Sequence, residues 1–136
     1  MPPSKPLKPA KSIHQVVDDL GLYPPEAFEF VQQGLSFTVQ KIHGQTKKED
    51  MLCRHISGAD LCEGLRELAL HRWGMLARTV LTRWNVRRTL DFGRIVFALV
   101  DSGWMQARPD DSLEDFREVF DFKSAFDTEY RIASLI

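Results

Sequence analysis

No stretch of this chain approaches the roughly 18 continuous apolar residues that a membrane-spanning helix needs. Cysteine is nearly absent. The two present, Cys53 and Cys62, imply no disulfide framework, and their scarcity fits a reducing compartment. Charge of one sign is missing too. Eighteen basic residues against 19 acidic ones leave a net charge of −1, which by itself points to neither a nucleic acid nor a membrane. Glycine never clusters: residues 58, 64, 74, 93 and 103 are each isolated, so no phosphate-cradling loop is written into the chain. The opening MPPSKPLKPAKS has lysines but no apolar run behind them, which is not the pattern of a secretory signal. The expectation is a soluble cytoplasmic protein with no cofactor.

What is present describes a folded domain. A chain of 136 residues, 43% apolar and 27% charged, suits one domain with its own core. Residues 1–11 hold four prolines and three lysines with almost nothing to bury, and read as a flexible tail. Residues 12–136 read as a single helical domain.

Punctuation within that domain is helical. Ser12 with Gln15 spells a capping box, Ile13, Val16, Val17 and Leu20 share one face, and Gly21 closes the helix. Pro24 and Pro25 open a second helix running to about Ile42, whose Gly34 predicts the close approach of another backbone. Residues 51–56 suggest a short extended segment. Ser57 and Asp60 cap a third helix that ends at Gly74. A short fourth runs from Leu76 to Trp84, with Leu76 on its inward side and Asn85 as a left-handed terminator. Residues 89–104 then form a helix apolar nearly all round, through Phe92, Ile95, Val96, Phe97, Leu99 and Val100, and such a helix belongs at the centre of a core. Its few exposed positions are expected to include Asp91, Asp101 and Ser102. Ser112 and Asp115 announce a further helix burying Leu113, Phe116, Val119 and Phe120. One or two more turns follow over 123–130. The predicted fold is mainly α, a single compact domain of about six helices around residues 89–104.

Four segments carry a resemblance. YPPEAFEFVQQGL, HISGADLCEGLRELAL, TLDFGRIVFALVDSG and DSLEDFREVFDF, in that order, resemble an uncharacterised conserved-hypothetical protein family of planctomycete and verrucomicrobial bacteria. The likeness covers about residues 13–126 and implies a bacterial, cytoplasmic, single-domain protein. It carries no activity across. Asn85 stands where the family is expected to have glycine, and asparagine tolerates the same backbone conformation.

Candidate chemistry is sparse. Cys53, His55, Cys62 and His71 match no common zinc spacing, and Cys62 falls between Leu61 and Leu65 on an inward face, as a core cysteine would. The histidines are scattered and the serines serve as caps, so no catalytic, cofactor or metal site is assigned. Charge is more informative. Over 71–94, six arginines (Arg72, Arg78, Arg83, Arg87, Arg88 and Arg94) face one acid, Asp91, while 101–136 holds nine acids and four bases. The basic patch either pairs with the acidic end of its own chain or meets an external anion. Its two helices and tight turn have helix-turn-helix spacing, yet Phe, Ile and Val do not read base edges. Nucleic acid would therefore be held by its phosphate backbone alone. Trp73, Trp84, Trp104 and Met105 form a candidate interface with a protein partner. The favoured expectation is a small non-catalytic interaction domain for a protein partner, with nucleic-acid binding through 72–94 as the alternative.

Overall fold

A computed structural model of the chain describes residues 10–45 and 56–127. It is mainly helical, and no strand occurs among the described residues. Five α-helices occur among the described residues: α1 (Ile13–Leu20), α2 (Pro25–Gln45), α3 (Gly58–Trp73), α4 (Ala77–Arg83) and α5 (Thr89–Asp101). Single 3-10 turns lie at Gly74–Leu76 and Leu113–Phe116, and a π-turn at Lys123–Asp127. The extended segment suggested at 51–56 lies outside the described residues except for Ile56, which is fully buried.

Local chemistry explains the helix ends. Ser12 accepts from the Gln15 N–H while the Gln15 side chain accepts from the Ser12 N–H, and Ser57 with Asp60 repeats the exchange at α3. Each box satisfies backbone donors that the first turn leaves open. Asn85 takes φ +64° after α4, and the Val86 N–H returns to the Leu81 carbonyl. Gly103, at φ +89°, closes α5 in the same way, with the Trp104 N–H on the Leu99 carbonyl.

α2 packs most extensively on α3, and α5 touches α1, α2, α3 and the 113–116 turn. The α2–α3 contact depends on two notches. A Cβ on Gly34 would stand 2.1 Å from Leu65 Cδ2, and one on Gly64 would stand 1.8 Å from Thr38 Oγ1. Gly34 thus admits a side chain, not the backbone its sequence context suggested. Along α5, Phe92, Ile95, Val96 and Leu99 are completely buried, so the central position expected of this helix is what the fold contains.

Three further expectations fail. Residues 113–120 do not form an α-helix: the chain leaves after one turn because Arg117 is extended and Glu118 adopts φ +49°. The backbone groups that a helix would pair internally go to Thr89, whose hydroxyl donates to the Phe116 carbonyl at 2.6 Å and accepts from the Val119 N–H at 3.1 Å. Leu76 and Leu113 are exposed, because each lies on a 3-10 turn whose pitch rotates it off the face that an α-helix would bury. Asp91 and Ser102 are buried, and only Asp101 of the three residues expected to be exposed faces solvent.

Candidate functional site

The N-terminus of α5 is built around a buried acid. Asp91 is the third residue of that helix and only 5% exposed. Its Oδ2 accepts from the backbone N–H groups of Arg87 at 2.8 Å and Arg88 at 3.2 Å. Its Oδ1 accepts from the Tyr23 hydroxyl at 2.5 Å and from Arg94 Nη1 at 3.2 Å. Four donors on one carboxylate offset the cost of taking its charge out of water. Tyr23 is buried as well, in the loop between α1 and α2. Burial first, and the bond to Asp91 second, push its hydroxyl up to about 12, so at neutral pH it stays protonated and donates.

A cleft of about 270 Å³ opens beside this network, between the α1–α2 loop and the α4–α5 turn, lined by Leu22, Tyr23, Asn85, Arg87, Arg88, Asp91 and Arg94. Asn85 joins the two loops by donating to the Leu22 carbonyl at 3.2 Å, and its Oδ1 accepts from Arg87 Nε at 3.4 Å. Arg87 and Arg88 also line a second cleft, of about 450 Å³, with Arg117, Glu118, Asp121, Phe120 and Phe122. The basic turn and the acidic C-terminal part therefore share a cleft. They are not ion-paired there: among the described residues Arg83, Arg87 and Arg88 make no salt bridge, while Arg117 is held by Glu114 in a two-bond fork.

The chain finds no match among family models, curated proteins or solved structures. What the molecule does must be argued from its own surface.

The six arginines do not form one continuous patch around a single site. Arg87, Arg88 and Arg94 gather at the Asp91 cleft. Arg72 is exposed on α3 beside Glu26, Glu29 and Trp84. Arg78 and Arg83 are exposed on α4. The four interface candidates also separate. Trp73 and Trp84 are half-buried and close a triangle with Phe30, their ring centres 5.4 Å apart and 5.2 and 5.8 Å from that ring. Trp104 is half-buried, and its indole N–H donates to the Lys11 carbonyl at 2.8 Å. Met105 is buried in the core, so it cannot serve as a surface anchor. Among the described residues the large exposed apolar side chains are instead Leu22, Met75, Leu76 and Leu113.

Cys62 is a free, fully buried thiol whose pKa burial pushes upward, and no cluster of three or more His, Cys, Asp or Glu occurs among the described residues. Cys53 and His55 lie outside them.

Sequence reading missed Tyr23 and the network it belongs to. Tyr23 and Asp91 are 68 positions apart, and nothing local in either neighbourhood announces the contact.

Proposed function

We propose that this chain is a small, non-catalytic interaction domain that engages an acidic protein partner through the arginine-bearing edge formed by α4 and the α4–α5 turn. One observation carries the reading. Arg83, Arg87 and Arg88 are exposed and free of salt bridges among the described residues, and two of them border both clefts. Guanidinium groups held at the mouth of a cleft are suited to carboxylates and other oxyanions of a partner. The half-buried Trp73–Trp84 pair lies close to the same edge and offers apolar area beside it. The resemblance of four segments to a bacterial family, and the free thiol of Cys62, favour a bacterial cytoplasmic setting.

Nucleic-acid binding is the second reading, favoured by the concentration of arginine over 72–94. Against it stands α5, the helix that should enter a groove: eight of its residues are buried, Thr89 to Gly93 together with Ile95, Val96 and Leu99. Contact would fall to the backbone phosphates alone.

A charge reversal decides between them. Capture of a partner by the purified chain is compared with capture by R83E/R87E/R88E and by the control R108E. The reading requires a protein partner whose capture falls at least tenfold in the triple variant and holds in the control. Capture indifferent to the reversal overturns it. Binding of duplex DNA at low salt, declining steeply as salt rises, supports the alternative instead.

A further inference from the structure

The interaction reading leaves open what the arginine edge grips, and the small cleft answers more narrowly than the edge as a whole. We propose that the cleft between the α1–α2 loop and the α4–α5 turn binds a phosphate monoester, a phosphorylated side chain of the protein partner, through Arg87, Arg88 and Arg94.

Charge is the first argument. Three arginines line this cleft and one carboxylate does, and both oxygens of that carboxylate are already occupied by donors from Tyr23, Arg94 and the turn backbone. Asp91 therefore holds the site together and is not available to a ligand. The surplus of positive charge matches a phosphate monoester, which carries close to two negative charges at neutral pH. A carboxylate would leave one cation uncompensated.

Geometry is the second. Arg94 is oriented by Asp91, and Arg87 leans on Asn85, whose own amide is tied to Leu22 across the cleft. Arginines positioned before binding lose less freedom when they close on an oxyanion. Size is the third. A cleft of about 270 Å³ holds a phosphoryl group and the first atoms of the side chain that bears it. A nucleic-acid backbone presents singly charged phosphates in a row, and one such phosphate would leave a cation of this recess uncompensated. This inference rests on the protein-partner reading, and the two can fail separately.

The test is titration of the isotopically labelled full chain by NMR at fixed ionic strength, with phenyl phosphate, acetate and a single-stranded oligonucleotide as probes. Phenyl phosphate is expected to shift the amides of Arg87, Arg88 and Asp91 and to bind at least tenfold more tightly than acetate. R87Q/R88Q should weaken it at least tenfold and R108Q should not. The bonds to Asp91 come from backbone N–H groups, so R87Q/R88Q keeps the network that holds the turn. Lowering the pH from 7.5 to 5.5 protonates the second phosphate oxygen, whose pKa is about 6, and should weaken binding severalfold. Equal affinity for acetate, or indifference to R87Q/R88Q, overturns the proposal. So does an oligonucleotide that displaces phenyl phosphate from these amides. If partner capture depends on the arginines but phenyl phosphate does not bind, this inference fails and the interaction reading survives. If phenyl phosphate binds but reversal of Arg83, Arg87 and Arg88 leaves capture intact, the interaction reading fails and takes with it the assignment of the phosphate to that partner, while the phosphate site itself stands.

Discussion

Asp91 does three jobs with one side chain. It satisfies the two backbone donors of the turn before α5, ties that turn to Tyr23 in a distant loop, and fixes Arg94 at the mouth of a cleft. The position was legible in the sequence as a helix-start acid, since a carboxylate three residues into a helix suits both the open N–H groups and the dipole. Its burial was not, because burial is supplied by Tyr23 and by packing. Tyr23→Phe isolates the cross-chain bond. Near neutral pH the loss should cost about 1.5–3 kcal/mol, the range for a hydrogen bond to a charged group. The pH dependence has a definite sign. The fold favours the protonated hydroxyl, raising its pKa from 10 to about 12, so its contribution is complete below pH 10 and fades as the pH climbs from 10 to 12. The stability gap between wild type and Tyr23→Phe should therefore narrow over that window in urea denaturation, and the absorbance step of phenolate formation near pH 12 should vanish in the variant. A gap that stays constant from pH 8 to 12 contradicts the buried Tyr23–Asp91 bond.

At the scale of elements, what the sequence announces locally is what the fold contains. The capping boxes of α1 and α3, the glycine ends of the same helices and the left-handed Asn85 involve residues within a few positions of each other. The failure over 112–120 is of the opposite kind. Its pattern is helical, but Thr89, far away in the chain, takes the carbonyl and the N–H that a second turn would need. A tertiary hydrogen bond overrides local propensity there. The α2–α3 pair shows the same division, for Gly34 marked a close approach but not its partner, and Gly64 gave no sign of meeting Thr38. Gly64→Ala tests the notch. Alanine favours a helix over glycine by about 1 kcal/mol, so an open site would gain stability. A methyl group 1.8 Å from the Thr38 oxygen must instead displace a buried side chain whose hydroxyl donates to the Gly34 carbonyl at 2.7 Å. Net destabilisation of about 1–3 kcal/mol is expected, the range for overpacking. A variant with a higher denaturation midpoint than wild type would show that the two helices are not in this register.

For the molecule as a whole, the centrality of α5 was readable because composition alone decides it: a helix apolar on every side has nowhere else to go. The same property argues against recognition-helix behaviour and moves function to the edges, where composition says least. The arginines could be counted from sequence, but only the fold shows that three of them meet at one recess while Arg72, Arg78 and Arg83 lie outside it. A single core also makes a prediction about unfolding. One continuous cluster runs from Val16 on α1 through Phe28, Leu65 and Ile95 to Phe126, so no helix has a private core to retain when the others leave. The tryptophans sample separate parts of it, with Trp73 and Trp84 against Phe30 and Trp104 at the end of α5 against Lys11. Tryptophan fluorescence and far-ultraviolet circular dichroism should then give coincident urea transitions with one midpoint. Repeating the experiment with Trp104→Phe leaves fluorescence reporting only the Trp73–Trp84 side, and that midpoint should still coincide with the loss of helix. Two separated transitions would mean that α1 and the α5 terminus unfold apart from the α2–α3 pair, and the single core would have to be divided.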